Sequence, residues 1–126
     1  AQHHFGWDNT QLPIATVTSG ETILVECLDA SDGHYTRTST AADIARMPSA
    51  RVNPVSGPIY VADAKPGDAL RVTFEAFEPS GFGWSAIIPG FGLLAEDFRE
   101  PHLQLWAARL RGNPDRFYMH ATLALA

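Results

Sequence analysis

Cysteine is nearly missing from this sequence: Cys27 stands alone. One cysteine closes no internal disulfide, so a reducing compartment, the cytoplasm, is expected. No apolar run approaches the roughly 20 residues that a helix needs to cross a bilayer. The N-terminus shows no charged segment leading into an apolar one, so no secretory leader is expected. Basic blocks are lacking as well: 9 Lys and Arg face 14 Asp and Glu, for a net charge of −5. Nucleic acid and anionic membrane surfaces both select for clustered positive charge, and both are excluded as expected partners. Spacings that announce a metal site are also missing, with no H-x-x-x-H and no Cys/His cluster. Ser39 and Ser85 lie in no G-x-S-x-G elbow, so a serine hydrolase is excluded too.

What the chain does have is apolar content without charge excess. Of 126 residues, 45% are hydrophobic and 18% charged, the balance of a globular protein. A chain of this length makes one domain and buries roughly two-thirds of its unfolded surface. Ten glycines and nine prolines cut it into short segments. The densest punctuation is Asn53-Pro54-Val55-Ser56-Gly57-Pro58. Two prolines fix φ and remove two backbone donors there, which rules out helix and central strand and leaves a shaped loop.

Around this gateway the pattern is of strands. Ala1 to Gln11 is polar and aromatic without period and reads as an ordered arm. Ile14 to Thr18 is a short β-branched run. In Thr22 to Leu28, Ile23, Val25 and Cys27 point one way, and Leu24, Glu26 and Leu28 the other. Cys27 then behaves as a small buried hydrophobe. Asp29 to His34 is rich in turn formers. Thr40 to Met47 reads as one short helix, with Thr40 as N-cap, Asp43 at N3 and Pro48 as stop. After the Pro66-Gly67-Asp68 turn, alternation puts Leu70, Val72, Phe74 and Ala76 inward and Arg71, Thr73 and Glu75 outward. Ser85 to Ile88 is a further short strand. Residues 102–111 fit both a helix and a strand; a hairpin with 116–125 through the Gly112-Asn113-Pro114-Asp115 turn is preferred. The fold class expected is mainly β: an antiparallel sandwich or barrel-like domain over 1–126, with one short helix near 41–47. The apolar strand running to Ala126 suggests a portion of a longer chain.

Several stretches, in order, resemble the acetamidase/formamidase family. They are His4-Phe5-Gly6-Trp7-Asp8, Glu26-Cys27-Leu28-Asp29-Ala30 with Asp32-Gly33, and Asn53 to Val61. Ala64-Lys65-Pro66-Gly67-Asp68-Ala69-Leu70 follows, and then Gly83-Trp84 with Pro89-Gly90-Phe91-Gly92. The family's later Gly-Asp-x-His-Ala region has no counterpart here. The resemblance therefore implies the N-terminal part of such an enzyme, holding part of its site. It implies hydrolysis of formamide, acetamide or similar short amides to a carboxylate and ammonia, aided by a divalent metal, zinc or calcium. The expected partners are a small amide and further copies of the chain, in a homo-oligomer.

Amide hydrolysis needs an activated water, a stabilised oxyanion and a proton for the leaving nitrogen. A metal supplies the first two through His or carboxylate ligands. The richest supply of such groups is His3, His4, Asp8, Asp29, Asp32 and His34. The expected metal ligands are His4, Asp29 and His34, and the expected catalytic residues are Asp29, Asp8 and Asn53. Asp29 ends an apolar strand, where its carboxylate either faces a cleft or caps its own turn. Asn53 either donates to a carbonyl oxygen or starts the turn before Pro54. Trp84 and Phe91 are the expected apolar walls for substrate, with core packing as their alternative. His102 and His120 are read as structural or exposed. The competing reading of the whole is a non-catalytic β module for binding or oligomerisation.

Overall fold

Alternation over the last described segment yields the middle strand of the largest sheet, flanked on both sides. The computed structural model describes residues 2–107 and 117–125. Its strands are β1 (His3–His4), β2 (Ala15–Val17), β3 (Glu21–Cys27), β4 (Val55–Ser56) and β5 (Ile59–Val61). They continue with β6 (Leu70–Glu78), β7 (Phe82–Ile87), β8 (His102–Ala107) and β9 (Phe117–Leu125). The sheets are β1-β4, β2-β5, β3-β9-β6 and β7-β8, all antiparallel except β2-β5, which is parallel. The mainly β, mostly antiparallel expectation holds; no closed barrel forms among the described residues.

The register of β9 explains its place. Ala121 opposes Ile23 on β3 and Phe74 on β6, and Leu123 opposes Glu21 and Val72. Directly opposed residues share a face. Phe117, Met119, Ala121, Leu123 and Leu125 therefore lie on one apolar face with Ile23, Val25 and Cys27, as their alternation requires. The small β2-β5 sheet lies on this face, and Val17, Val61, Ala121 and Leu123 form the buried core with Ile23, Ile59, Met119 and Leu125 against it. The opposite face is polar. Thr22 and Thr122 share a hydrogen bond of 2.7 Å between hydroxyls, and His120 Nε2 lies 2.8 Å from Glu78 Oε1.

Three sequence expectations are corrected. First, 102–107 and 117–125 do not form a hairpin with each other. β8 pairs with β7, where Trp106 Nε1 donates to Ser85 Oγ at 3.0 Å, and β9 inserts between β3 and β6. Two nine- and seven-residue strands offer β9 more apolar surface than six-residue β8 does. The turn expected at 112–115 lies outside the described residues. Second, β6 is exposed along its whole length, so Leu70, Val72 and Phe74 face the right side but are not buried. A bulge at Glu75 then shifts the register, so that Phe77, and not Ala76, joins Phe74 on the apolar face. Third, Ala41–Arg46 is a 3-10 helix. Its predicted start is present: Thr40 N–H donates to Asp43 Oδ2 at 2.7 Å, and Asp43 N–H to the Thr40 carbonyl at 3.0 Å. Its end bonds span three residues, from Asp43 N–H to the Thr40 carbonyl and from Met47 N–H to the Ile44 carbonyl, and Ile44 alone of its residues is buried.

The Pro/Gly gateway is stitched to four earlier segments. β4 pairs with β1, and β5 with β2. Ser56 Oγ donates to the Glu26 carbonyl at 2.9 Å, and the Pro58 carbonyl accepts from Ile14 N–H at 2.8 Å. Gly57 is buried at φ 136°, a conformation closed to side-chain-bearing residues, and the peptide bond to Pro58 is cis.

The register makes a sharp contrast between two leucines. Leu123 is 7% exposed in the core and Leu24 58% exposed on the other face. Leu123→Ala is expected to cost about 2–5 kcal/mol and Leu24→Ala within about 0.5 kcal/mol. Urea denaturation of both variants checks this; equal losses would refute the register.

Candidate active site

The apolar face of the large sheet ends in a cleft. Cys27 opposes Phe117 there, and the loop that follows β3 turns across the sheet end. The cleft has a volume of ≈ 770 Å³ and is lined by Cys27 to Asp29, Gly33, Tyr35 to Thr38, Pro79, Ser80, Phe82 and Phe117. Its walls are mostly apolar, with hydroxyls and Arg37 among them. The Arg37 guanidinium lies 5.3 Å from the centre of the Phe82 ring. Burial pushes the Cys27 thiol up, with a bond to Ser56 opposing, which leaves it an unreactive neutral group.

Asp29 is the hub of this wall. Its Oδ1 accepts from Ser31 N–H at 2.8 Å, from Trp84 Nε1 at 2.9 Å, and from the Ser31 hydroxyl. Its Oδ2 accepts from Gly33 N–H at 2.9 Å. Burial works against the charge, but the donors at Ser31, Trp84 and Gly33 outweigh it and hold the carboxyl below its ordinary range. Both sequence alternatives for Asp29 thus meet: it caps its own loop and lines the cleft. Among the described residues Oδ1 takes three donors and Oδ2 one.

Behind Asp29 stands an aromatic stack. Trp84 meets Tyr35 edge-on with ring centres 4.6 Å apart, and His34 meets the other side of Tyr35 at 5.0 Å. Tyr35 is 2% exposed, and its buried hydroxyl has no hydrogen-bond partner among the described residues. Burial, and next the charge of Asp43, push its pKa up, so the phenol stays protonated. His34 Nε2 lies 2.9 Å from the Asp43 carbonyl. A carbonyl only accepts, so Nε2 is the donor in this contact.

A second cluster clamps the loop from the N-terminal side. Asp32, at φ 53°, is reached by His3 Nε2 at 3.2 Å and by an Arg51 guanidinium nitrogen at 2.5 Å. Asn53, at φ 55°, donates its backbone N–H to the Ala30 carbonyl at 2.8 Å. Asparagine and aspartate tolerate this left-handed conformation better than most residues. Asn53 therefore couples the gateway to the Asp29 loop through its backbone. His4 Nδ1 lies 3.2 Å from the Gly57 carbonyl.

The structure brings Asp29 and Trp84 into contact and sets His34 behind them. It does not bring Asp8 or Phe91 to the cleft. Asp8 is exposed, and its Oδ1 accepts from the Thr10 hydroxyl at 2.7 Å and Thr10 N–H at 2.9 Å, which lower its pKa. Phe91 is 76% exposed in the turn closed by its N–H to the Ile88 carbonyl. His4, Asp29 and His34 do not come together: among the described residues no three His, Cys, Asp or Glu side chains group as a metal site. By themselves these residues do not fit a metal ion. Sequence reasoning overlooked Tyr35, Arg37 and Phe82. Tyr35 and Arg37 follow His34 directly in a polar loop, and no spacing distinguishes them from surface residues.

This arrangement was compared with known proteins. The sequence profile of the acetamidase/formamidase family matches residues 1–114. The chain belongs to that family. A formamidase of Methylophilus methylotrophus is 31% identical over 111 residues, covering 83% of this chain and 27% of that protein. An acetamidase of Mycolicibacterium smegmatis is 28% identical over 116 residues, covering 82% of this chain and 29% of that protein. The crystal structure of an acetamidase from Bacillus halodurans superposes with a TM-score of 0.76 at 29% identity, over 83% of this chain and 35% of that one. This acetamidase/formamidase-family chain spans about a quarter of the length of the curated relatives it matches.

The carboxylate of Asp29 gives a pH-dependent prediction. Its folded pKa is depressed, so its contribution is complete above the unfolded value of about 4 and is lost as pH falls through the folded value. Asp29→Asn is expected to destabilise by about 1–3 kcal/mol at pH 7. The difference from wild type should shrink below about pH 4. Urea denaturation across pH 2.5–7 checks it; a gap that stays constant with pH would contradict the assignment. Trp84→Phe keeps the ring but removes one donor, and should move the Asp29 carboxyl titration, followed by carbon NMR, toward its ordinary range.

Proposed function

We propose that this chain serves the hydrolysis of short amides, formamide and acetamide, to carboxylate and ammonia, and that it supplies one wall of the site. The observation that supports this is family membership over residues 1–114, together with formamidase and acetamidase relatives whose matched region includes the Asp29 loop. The cleft suits a small, weakly polar substrate: apolar walls exclude water, and a few hydroxyls and one guanidinium orient it.

In this reading Asp29 acts by position. Its charge is fixed by four donors, which anchor Trp84 and the 31–33 backbone against the cleft. Arg37 lines the cleft, and in this reading its guanidinium meets the charge that develops on the carbonyl oxygen and remains on the carboxylate product. Asn53 holds the loop through its backbone and Asp8 holds the N-terminal arm through Thr10. A divalent metal would supply an activated water. The described residues by themselves bring no three His, Cys, Asp or Glu side chains together to hold it.

The competing reading, a non-catalytic β module for binding or oligomerisation, rests on the lack of a counterpart to the family's later Gly-Asp-x-His-Ala region, and a free strand edge over 116–126 would favour it further. That strand is β9, paired on both edges.

Ammonia release from formamide and acetamide by the intact protein tests the proposal. Turnover is expected to fall on chelation and return with zinc or calcium. Turnover untouched by chelator would remove the metal, and no turnover of any short amide would remove the function. Arg37→Ala should lower kcat/KM at least about tenfold, a transition-state loss near 1.4 kcal/mol.

A further inference from the structure

Arg51 ends the short helical turn Ser49–Arg51 ahead of the gateway, and its side chain is 61% exposed. An ion pair at such a place is ordinarily worth little. This pair differs because its carboxylate is not at the surface. The Asp32 side chain is 6% exposed, with Oδ2 held by Arg51 and Oδ1 by His3. A charge taken out of water has to be paired, and a buried carboxylate that loses its cation is strongly unfavourable. His3 brings a charge only when protonated, whereas a guanidinium is always charged. Phe5 steadies both partners. The Arg51 guanidinium lies 5.9 Å from the centre of its ring, and the His3 ring meets it edge-on at 5.6 Å.

Asp32 stands between Ser31 and Gly33, whose N–H groups both donate to Asp29. Its own N–H donates to the Asp29 carbonyl at 3.0 Å. A left-handed residue other than glycine keeps its place when its surroundings hold it, and at φ 53° the hold on Asp32 is the clamp on its carboxylate. If that carboxylate turned out to water, the backbone would turn with it and displace two donors on which Asp29 depends. The bonds from Ser31 and Gly33 to Asp29 give the loop its internal shape, but they do not set where the loop sits. Ties from outside set that, among them Trp84 on the cleft side and residues 51–53 on the other. There Asn53 N–H donates to the Ala30 carbonyl at 2.8 Å, and Arg51 takes the Asp32 carboxylate.

We propose that Arg51 is a positioning residue for the cleft: acting through Asp32, it keeps the Ser31 and Gly33 donors on Asp29, and with them the wall formed by Gly33 and Tyr35 to Thr38. Its effect on turnover rests on the amidase reading; its effect on the loop does not.

Hydrogen exchange of the protein, followed by nuclear magnetic resonance, tests this. In Arg51→Ala the Ser31 and Gly33 amides and the Trp84 indole N–H are expected to exchange at least about tenfold faster, while the amides of β9 keep their rates. A general loss of stability would quicken β9 as well, so the contrast separates positioning from folding. Arg51→Lys keeps the charge and should recover most of the protection. Arg99→Ala, which removes an exposed cation bonded to the Glu96 carbonyl, should match wild type. In an Asp32→Asn background, Arg51→Ala should add less than about twofold, because the buried charge is already gone. Unchanged exchange at Gly33 and Trp84, equal quickening in β9, the same quickening in Arg99→Ala, or a full effect in the Asp32→Asn background would overturn the inference. With formamide, kcat/KM should fall in Arg51→Ala and return in Arg51→Lys; an unchanged kcat/KM beside quickened exchange would overturn the role in the cleft. No ammonia release by wild type would remove the amidase reading and leave the clamp standing, since exchange reads it directly.

Discussion

One buried-side carboxylate organises the functional end of this molecule. Asp29 draws in the backbone and hydroxyl of Ser31, the backbone at Gly33 and the indole of Trp84 from β7. A charge in a half-buried place is stable only when its lone pairs are met, and here the protein meets nearly all of them. The 29–34 loop therefore has no freedom to fold otherwise. Tyr35 is carried by that loop between Trp84 and His34, and the cleft takes its shape from the same loop. Strand β3 delivers the carboxylate, β7 answers it, and these two strands belong to different sheets.

The second constraint is the division of the β9 face. Its apolar side chains meet β2 and β5 on one half and solvent on the other. Burial on one half fixes the register through Ala121 and Leu123, because a slip of one residue would bring His120 and Thr122 into the core. The bare half is held by the same register at no extra local cost, since β6 is bonded along its length to β9. The molecule can thus be ordered and still present a row of aromatic rings.

Chemistry is distributed in the same way. The described residues hold a fixed carboxylate, a protonated buried phenol and a guanidinium at one cleft. They hold no triad and no ligand group. The chain spans about a quarter of the length of its curated relatives.

The sequence by itself determined whatever depends on neighbours in the chain. Period-two alternation placed Ile23, Val25 and Cys27 on one face. Thr40 and Asp43 set a helical start, and the two prolines and Gly57 kept helix and central strand out of the gateway, which holds only the two-residue strand β4. Asp29 was legible as the acid to watch, because it closes an apolar strand and opens a turn. Pairing was decided only in three dimensions. Whether 117–125 meets 102–107 or slips between β3 and β6 depends on which surfaces compete for it, and alternation is silent on competition. The Glu75 bulge could not be read, because one extra residue inverts the faces without changing the composition. Tyr35 and Arg37 gained their places from the fold of a loop whose anchor, Trp84, lies 55 residues from Asp29. Local pattern reports what each segment wants to bury; the tertiary structure decides against what, and how much of it stays uncovered.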